Sequence, residues 1–307
     1  MSRYRIALLC LLILSVLIAP AAVQTVTAQA QPWLQVWAVP GENWSVYSLE
    51  YRDAAGQVLA SYVINDLTWP RHAGGRLYGT ALENIPVFDP YAGTVAYQPV
   101  TGKLQDTDQD FYLVMDAIPA PDGQTYAYTI SVQHSDYTLQ ALSTIYIGHV
   151  GQAGDRQLLQ VQMEPSHALS PMGWADNGNI LLLHLQPIGI GGYILFWTYQ
   201  DVQLYDLRTN AVVGVGDVDG YSEDGRKIAR VILSDGPARL EILDVASGTT
   251  AGYNMPNLGE APRVGGGAIF SPSGMKVAYQ VARGEPDNEK YWTLLTDLQT
   301  GLTTILL

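Results

Sequence analysis

The stretch AIFSPSGMKVAYQ, residues 268–280, decides the fold class, because it predicts a strand, a tight turn and a second strand. Pro272 presets its backbone angle in the turn, and Gly274 can adopt the positive φ that a hairpin needs. The residues on either side are mostly apolar, aromatic or β-branched, which favours strands. A second hairpin follows in YWTLLTDLQTGLTTILL, residues 291–307. The end of the chain therefore predicts a unit of four consecutive strands.

The same pattern recurs upstream at a nearly constant spacing. Its turn glycines are Gly75, Gly123, Gly178, Gly225 and Gly274, separated by 48, 55, 47 and 49 residues. A period of about 50 residues built only of strands is typical of a β-propeller, in which each repeat forms a four-stranded blade. The sequence therefore predicts an all-β fold with propeller architecture.

A sixth, partial unit lies nearer the N-terminus. Trp33–Trp37, Tyr47–Asp53 and Gln57–Ile64 match the later strands of the repeat, and the innermost strand has no counterpart there. We therefore expect six four-stranded blades, the first of them short of its innermost strand. Five blades with an irregular N-terminal cap is the alternative. A β-sandwich also shows regularly spaced short strands, but it needs no repeated turn-and-strand sequence.

Three copies of the repeat carry a family resemblance: FSPSGMKVAYQ (270–280), YSEDGRKIARV (221–231) and APDGQTYAYTI (120–130). Turns such as LTDLQTG (295–301) and ILDVASG (242–248) follow further on. Together they resemble the TolB-like or WD40-like (PD40-type) β-propeller repeat, well over about residues 70–307 and weakly over 33–65. Ser273 stands where that family usually has Asp. The resemblance implies a propeller without naming a ligand.

The repeated acidic residues are predicted to be turn residues. In each Asp-Gly or Asn-Gly turn the glycine takes the left-handed conformation, and the Asp or Asn side chain can hydrogen-bond its own turn. Asp206, Asp244 and Asp297 end the third strand of their units and should do the same for the following turn.

Residues 1–30 are predicted to be an export signal. Arg3 and Arg5 precede an apolar run from Ile6 to Ala19, and Pro20 and the small residues Ala28-Gln29-Ala30 follow as a cleavage site. Residues 31–307 would then form a single β-propeller domain that is periplasmic, on the cell surface or extracellular. An uncleaved anchor is the alternative, since the apolar stretch from Ile6 to Val23 approaches the roughly 20 residues of a membrane helix. We expect no further membrane span.

Composition excludes one class of partner. Acidic residues outnumber basic ones 29 to 16, a formal charge of −13, which argues against nucleic acid as a partner. The single cysteine, Cys10, lies inside the predicted signal, so the exported part has no disulfide and no thiolate ligand.

No motif in the sequence identifies a catalytic residue, a cofactor-binding residue or a metal ligand, and we expect no cofactor. The chain has no Gly-x-Ser-x-Gly, no His-Glu-x-x-His and no phosphate-binding or dinucleotide-binding loop. Asp106-Thr-Asp-Gln-Asp110 is the nearest calcium-like sequence, but Phe111 and Ala117 occupy the positions of the required glycine and glutamate. A second acidic cluster, Asp217, Asp219, Glu223 and Asp224, is better explained as an interblade turn than as a cation site.

Histidines and tryptophans leave one alternative open. The histidines His72, His134, His149, His167 and His184 are scattered without ligand spacing. Trp69, Trp174 and Trp197 lie near predicted loops or strand ends and could line a peptide or carbohydrate groove, although aromatic residues of strands usually pack between blades.

Propellers bind at the mouth of the central channel, where loops of all blades meet. The leading hypothesis is a non-catalytic binding or scaffolding module for a protein, a peptide or an envelope component, with a small molecule or carbohydrate as the alternative ligand. The rival is an exported hydrolase or lyase with paired carboxylates about 5 to 9 Å apart at the channel mouth. A membrane-tethered sensor is the third hypothesis.

Overall fold

The structure is a computed structural model that describes residues 33–38, 47–52, 55–64, 68–73, 76–80, 84–89, 92–100, 110–136, 138–188, 198–233, 237–259, 261–283 and 289–306. The predicted signal, residues 1–30, and the turn at Gly75 lie outside this part of the chain. The chain divides into two units. The first unit consists of the described residues up to Val36 together with those of Leu49–Ser61. The second consists of the described residues of Trp37–Ser48 together with those of Tyr62–Leu307.

The strands form six sheets, each built from strands that follow one another along the chain. Blade 1 has three strands, in the order β1 (Trp33–Ala38), β2 (Tyr47–Arg52), β3 (Val58–Ile64). Blade 2 contains β4 (Thr68–Ala73), β5 (Arg76–Thr80), β6 (Asn84–Asp89) and β7 (Thr94–Pro99). Blade 3 contains β8 (Asp110–Pro119), β9 (Thr125–His134), β10 (Ala141–His149) and β11 (Arg156–Met163).

The remaining three blades repeat this order. Blade 4 contains β12 (His167–Ala175), β13 (Ile180–Pro187), β14 (Tyr199–Asp206) and β15 (Val212–Val218), with a short 3-10 helix at Asp176–Gly178 between β12 and β13. Blade 5 contains β16 (Gly220–Tyr221), β17 (Lys227–Ile232), β18 (Arg239–Asp244) and β19 (Thr250–Asn254). Blade 6 contains β20 (Val264–Phe270), β21 (Lys276–Arg283), β22 (Lys290–Asp297) and β23 (Thr303–Ile305).

This architecture confirms the prediction of an all-β propeller. Neighbouring strands within blades 2 to 6 pair antiparallel, as the short hairpin turns require. Blade 1 has the three later strands that its partial repeat predicted and, within the described residues, no innermost strand. Among the described residues no helix is both long and apolar enough to cross a membrane.

Apolar cores join blades 2 to 6 in sequence, so that blades 3, 4 and 5 are packed on both faces of their sheets. Within β13, Leu181 and Leu183 pack in the core shared with blade 3, whereas Leu182 packs with Ile228 of blade 5. Side chains alternate between the two faces of a strand, so a strand buried on both faces needs a continuous apolar run. Each fully buried leucine contributes about 1.5–3 kcal/mol. Similar cores join blade 2 to blade 3 and blade 5 to blade 6.

Hydrogen bonds between blades align their innermost strands. The Trp174 indole of blade 4 donates to the Ile118 carbonyl of blade 3 at 2.9 Å. The backbone N–H of Ala268 in blade 6 donates to the carbonyl of Asp219, next to β16, at 2.9 Å. Because each is made at a buried strand, it fixes the register of one blade against the next.

The turn residues behave as the repeat predicts. Gly123, Gly178, Gly225 and Gly274 have φ values of 61°, 89°, 65° and 65°, in the left-handed region. The carboxylates that end the third strands each accept a hydrogen bond from the backbone two or three residues on, at 2.8 Å for Asp206 and Asp244 and 3.0 Å for Asp297. These aspartates therefore close turns.

Candidate functional site

A cavity of about 460 Å³ lies where the turns between the first and second strands of blades 3 to 6 meet β4 of blade 2. We call it the turn-end cavity. Every four-stranded blade contributes to its lining, which is formed by Arg71, Ile118, Pro119, Pro121, Met172, Gly173, Trp174, Asn177, Tyr221, Ser222, Glu223, Asp224, Pro272 and Gly274. Its volume lies within the range of about 300–1,000 Å³ that is typical of ligand sites.

The repeat itself explains why these residues meet. The first strand of each blade lies innermost in a propeller, and each ends at the turn that carries the repeated glycine. Since β8 contacts β12 and β16 contacts β20, the turns at the ends of these strands come together. Residues at the same position in different repeats, such as Pro121, Glu223 and Pro272, therefore lie around one cavity although about 50 residues separate neighbouring repeats along the chain.

Two aromatic side chains form the apolar wall. Trp174 is almost fully buried, and its indole N–H is held by the Ile118 carbonyl. The Tyr221 hydroxyl donates to the Met172 carbonyl. A Cβ atom at Gly173 would lie 2.6 Å from Cε2 of Tyr221, so the absence of a side chain there lets the tyrosine ring lie against the backbone. Both aromatic side chains thus bond their polar atoms to backbone carbonyls and contribute apolar atoms to the cavity lining, the partly buried Tyr221 more than the nearly buried Trp174.

Blade 5 supplies the acidic side of the cavity. Oδ1 of Asp224 accepts hydrogen bonds from the Ser222 hydroxyl at 2.6 Å and the Arg226 backbone N–H at 3.1 Å. Burial raises the pKa of Asp224, but these hydrogen bonds and the charges of Lys227 and Arg226 outweigh it, so the pKa is lower than usual. Asp224 is therefore ionised at neutral pH. Glu223 is exposed beside it.

Blades 2 and 4 supply the other polar groups. Arg71, on β4, is the basic residue among the described lining residues. Asn177 has φ 53° within the turn after β12, and its exposed side chain carries both a donor and an acceptor. The cavity thus combines an apolar wall with a few polar groups, which is the usual composition of a binding site.

The structure brings some of the sequence candidates to this cavity. Trp174, Glu223 and Asp224 line it. Residue 197 and residues 106–109 lie outside the described part of the chain, and so does the side chain of Trp69. Arg71, Asn177 and Tyr221 also line the cavity, and the sequence did not predict them as site residues. A comparison of the residues next to each repeat's turn glycine would have pointed to Asn177, whereas nothing in the repeat marks Arg71.

Two other residues of the second acidic cluster, Asp217 and Asp219, are not among the described lining residues and accept hydrogen bonds from other parts of the protein. The buried Asp219 carboxylate accepts hydrogen bonds from the Val231 backbone at 2.6 Å and the Thr198 hydroxyl at 2.8 Å, and burial raises its pKa. Oδ1 of Asp217 accepts the Asp201 backbone N–H at 3.0 Å. These contacts give both residues a structural role between strands.

The histidines whose side chains the structure describes do not form a metal-binding group. His134 pairs with Asp110, His149 contacts the Thr125 hydroxyl at 3.1 Å, and His167 contacts the Pro165 carbonyl at 2.9 Å. Within the described residues no group of three or more His, Cys, Asp or Glu side chains is placed to hold a metal ion. Asp110, which closed the calcium-like sequence, is engaged by its histidine.

The fold and the cavity together define a class of protein: a β-propeller with a ligand-sized pocket at one end of its innermost strands. No protein-family model and no curated protein matches the sequence. Among solved structures the chain is similar to oligogalacturonate lyase in complex with manganese, with 9% identity and a TM-score of 0.55 over 89% of this chain and 83% of that one.

Two further solved structures show the same kind of likeness. Porphyromonas gingivalis dipeptidyl peptidase 4 matches with 13% identity and a TM-score of 0.52, over 89% of this chain and 44% of the peptidase. Putative TolB from Agrobacterium tumefaciens matches with 17% identity and a TM-score of 0.42, over 78% of this chain and 79% of that one. At these identities the first two likenesses support the propeller fold and nothing finer.

Proposed function

We propose that the protein is an exported, non-catalytic binding or scaffolding module that holds a segment of protein, a peptide or an envelope component in the turn-end cavity. One observation carries the proposal: all five four-stranded blades contribute described residues to the lining of one ligand-sized cavity. A site assembled in this way is rigid, because each lining residue is next to a strand that packs between neighbours. Export rests on the signal predicted over residues 1–30.

The chemistry of the lining favours binding over catalysis. Both carboxylates of the described lining residues, Glu223 and Asp224, are adjacent in one turn of blade 5. A glycoside-cleaving pair needs one carboxyl with a raised pKa to act as the acid. The pKa of Asp224 is instead lowered, and Oδ1 of its carboxylate is held by the turn. Most of the other described lining residues are apolar, which suits a protein or peptide segment.

Site-specific photo-cross-linking tests the proposal in the organism that carries the gene. A benzoyl-phenylalanine at position 223 should cross-link a defined partner in the exported fraction. The same group at position 164 should not, because Glu164 lies just before β12, at the opposite end of that strand from the cavity. The purified partner should then bind the wild-type protein and lose affinity for a variant with a filled cavity, Pro272→Trp.

Leu139→Trp is the matched control, since Leu139 is exposed in the connection between β9 and β10, away from the cavity. Equal loss of affinity in both variants, or equal cross-linking at both positions, would contradict the proposal. So would turnover of an oligosaccharide or lactone that Glu223→Gln abolishes.

A further inference from the structure

The charges of the turn-end cavity are separated along its wall. Arg71 comes from β4 of blade 2, whereas Glu223 and Asp224 come from the turn after β16 of blade 5. Blades 3 and 4 lie between them, since β8 contacts both β4 and β12. A ligand that spans the cavity therefore meets a cation on one side and two carboxylates on the other.

The blade 5 side is suited to an ammonium group. Asp224 keeps its negative charge at neutral pH because its turn hydrogen bonds hold its pKa low. Oδ2 of Asp224 has the Arg226 guanidinium 3.8 Å away, an exposed pair of small energy that a better-placed cation can displace. Glu223 adds a second carboxylate at the exposed rim. The strongly acidic composition of the chain adds to this preference for positive charge.

The blade 2 side is suited to a carboxylate. The Arg71 guanidinium is always protonated and matches a carboxylate with two parallel hydrogen bonds. The neighbouring titratable group does not add charge at neutral pH. Burial, and to a smaller extent the charge of Arg71, lower the pKa of His184 to about 4. Arg71 is therefore the cation that sets the chemistry of this side.

The surface between the two charged sides matches a short piece of polypeptide. The Tyr221 ring offers apolar contact, backed by the nearly buried Met172 and Trp174, and the polar atoms of the two aromatic residues are already bonded to backbone carbonyls. The exposed amide of Asn177 offers one donor and one acceptor, the pair that a peptide group requires. Apolar side chains, a peptide group and two opposite terminal charges occur together in a free peptide.

We propose that the turn-end cavity recognises a short, unblocked peptide, with its ammonium group at Glu223 and Asp224 and its carboxylate at Arg71. The inference rests on the proposed function and specifies the ligand of the same cavity. It differs from recognition of a continuous protein segment, which has neither terminal charge within the site.

Calorimetric titration of the full chain with four forms of the tripeptide Ala-Leu-Ala tests this assignment. The forms are free, N-acetylated, C-amidated and blocked at both ends. Each blocking group should weaken binding by about tenfold, the value of one lost charge-assisted hydrogen bond. In the double variant Glu223→Gln/Asp224→Asn, N-acetylation of the peptide should change the affinity little. In Arg71→Gln, C-amidation should change the affinity little. Glu164→Gln and Arg156→Gln, exposed and outside the lining, should behave like the wild type.

The outcomes separate this inference from the proposed function. If the wild type binds all four peptides equally and Pro272→Trp binds none of them, the charge assignment is overturned. The cavity then keeps its role as a peptide site. Binding that Pro272→Trp leaves unchanged contradicts the cavity as the site and so contradicts the proposed function as well. Failure of every form to bind at millimolar concentration overturns the inference, and the cross-linking experiment then decides the proposed function. Thermal melts of each variant show whether a loss of binding comes from unfolding.

Discussion

His184 is a titratable side chain buried where two blades meet. It lies in β13 on the same side as Leu182, which packs against blade 5, and it is 4% exposed. Its ring stands edge-on to Tyr199, with the centroids 5.1 Å apart. Burial lowers its pKa to about 4, with a smaller contribution from the charge of Arg71 opposed by the backbone of Leu185. The folded protein therefore holds this histidine neutral.

A pH dependence follows from this residue. The unfolded chain takes up a proton on His184 below a pH of about 6.5, and the folded protein does so only below about 4. Stability is therefore complete above pH 6.5 and falls between 6.5 and 4, by up to about 3 kcal/mol. Urea unfolding across this range should show that loss in the wild type and a much flatter profile in His184→Phe.

His149→Gln is the control, because His149 is exposed and removal of its side chain leaves the interface between blades 4 and 5 intact. If His184→Phe retains the wild-type slope between pH 6.5 and 4, another group is responsible for it.

At the scale of elements, the turn after β16 both lines the cavity and contacts the neighbouring blade. A Cβ atom added at Gly225 would lie 2.0 Å from the Trp174 carbonyl oxygen and 2.7 Å from Cα of Ala175. The turn between β18 and β19 has a glycine of nearly the same conformation, Gly248 with φ 68°, but nothing lies within 4 Å of its Cβ position. An alanine at Gly248 would therefore meet backbone strain alone, whereas an alanine at Gly225 would meet the same strain and a close contact with the neighbouring blade.

Replacement of each glycine by alanine should measure the two effects. Gly248→Ala should cost about 1–2 kcal/mol, since an L-residue is disfavoured in the left-handed region. Gly225→Ala should cost a further 1–3 kcal/mol or so, because the turn and the end of β12 must move apart. The measurement is the free energy of unfolding in urea, and equal losses in the two variants would show that the close contact is relieved without cost.

At the scale of the whole molecule, stability is distributed over cores that neighbouring blades share. Each blade from 2 to 5 packs against the next along the chain through buried side chains of both. In repeat architectures the energy of such interfaces adds to the stability of each unit, so damage at one interface weakens both neighbours. The cavity lies at the ends of the same strands and depends on this packing for its shape.

Leu183→Ala tests the contribution of one interface. Leu183 is fully buried between blades 3 and 4, and its truncation should cost about 2–5 kcal/mol. Leu302→Ala, at a residue that is 63% exposed, should change stability by less than about 0.5 kcal/mol. Circular dichroism and tryptophan fluorescence should report the same transition in both variants. Divergence of the two signals would mean that the blades unfold separately.

The local features of the fold were predictable because their causes are local. The positive φ of Gly123, Gly225 and Gly274 and the turn-closing role of Asp244 and Asp297 follow from residues within one turn. The strand positions follow from β-branched and aromatic runs between those turns. For blade 1, even the three strands found in the structure match the partial repeat.

The sequence could predict that a binding site would lie where loops of several blades meet, but it could not predict which residues line it. Trp174 was one of three tryptophans near predicted loops or strand ends, and Glu223 and Asp224 belonged to one of two acidic clusters, so neither could be chosen from sequence. Arg71 lies in a strand whose sequence shows no trace of its cavity position. A cavity depends on which side chains face each other across neighbouring blades, and that depends on the register of packing over distances of about 50 residues or more.

The sequence by itself determined that this protein is a propeller of short antiparallel strands, because period, turn chemistry and strand preference are properties of consecutive residues. Only the tertiary structure decided that Arg71, Trp174, Asn177 and the Glu223–Asp224 turn share one cavity, and that His184 is buried between two blades. These proximities arise from the packing of separate blades, which no single repeat specifies.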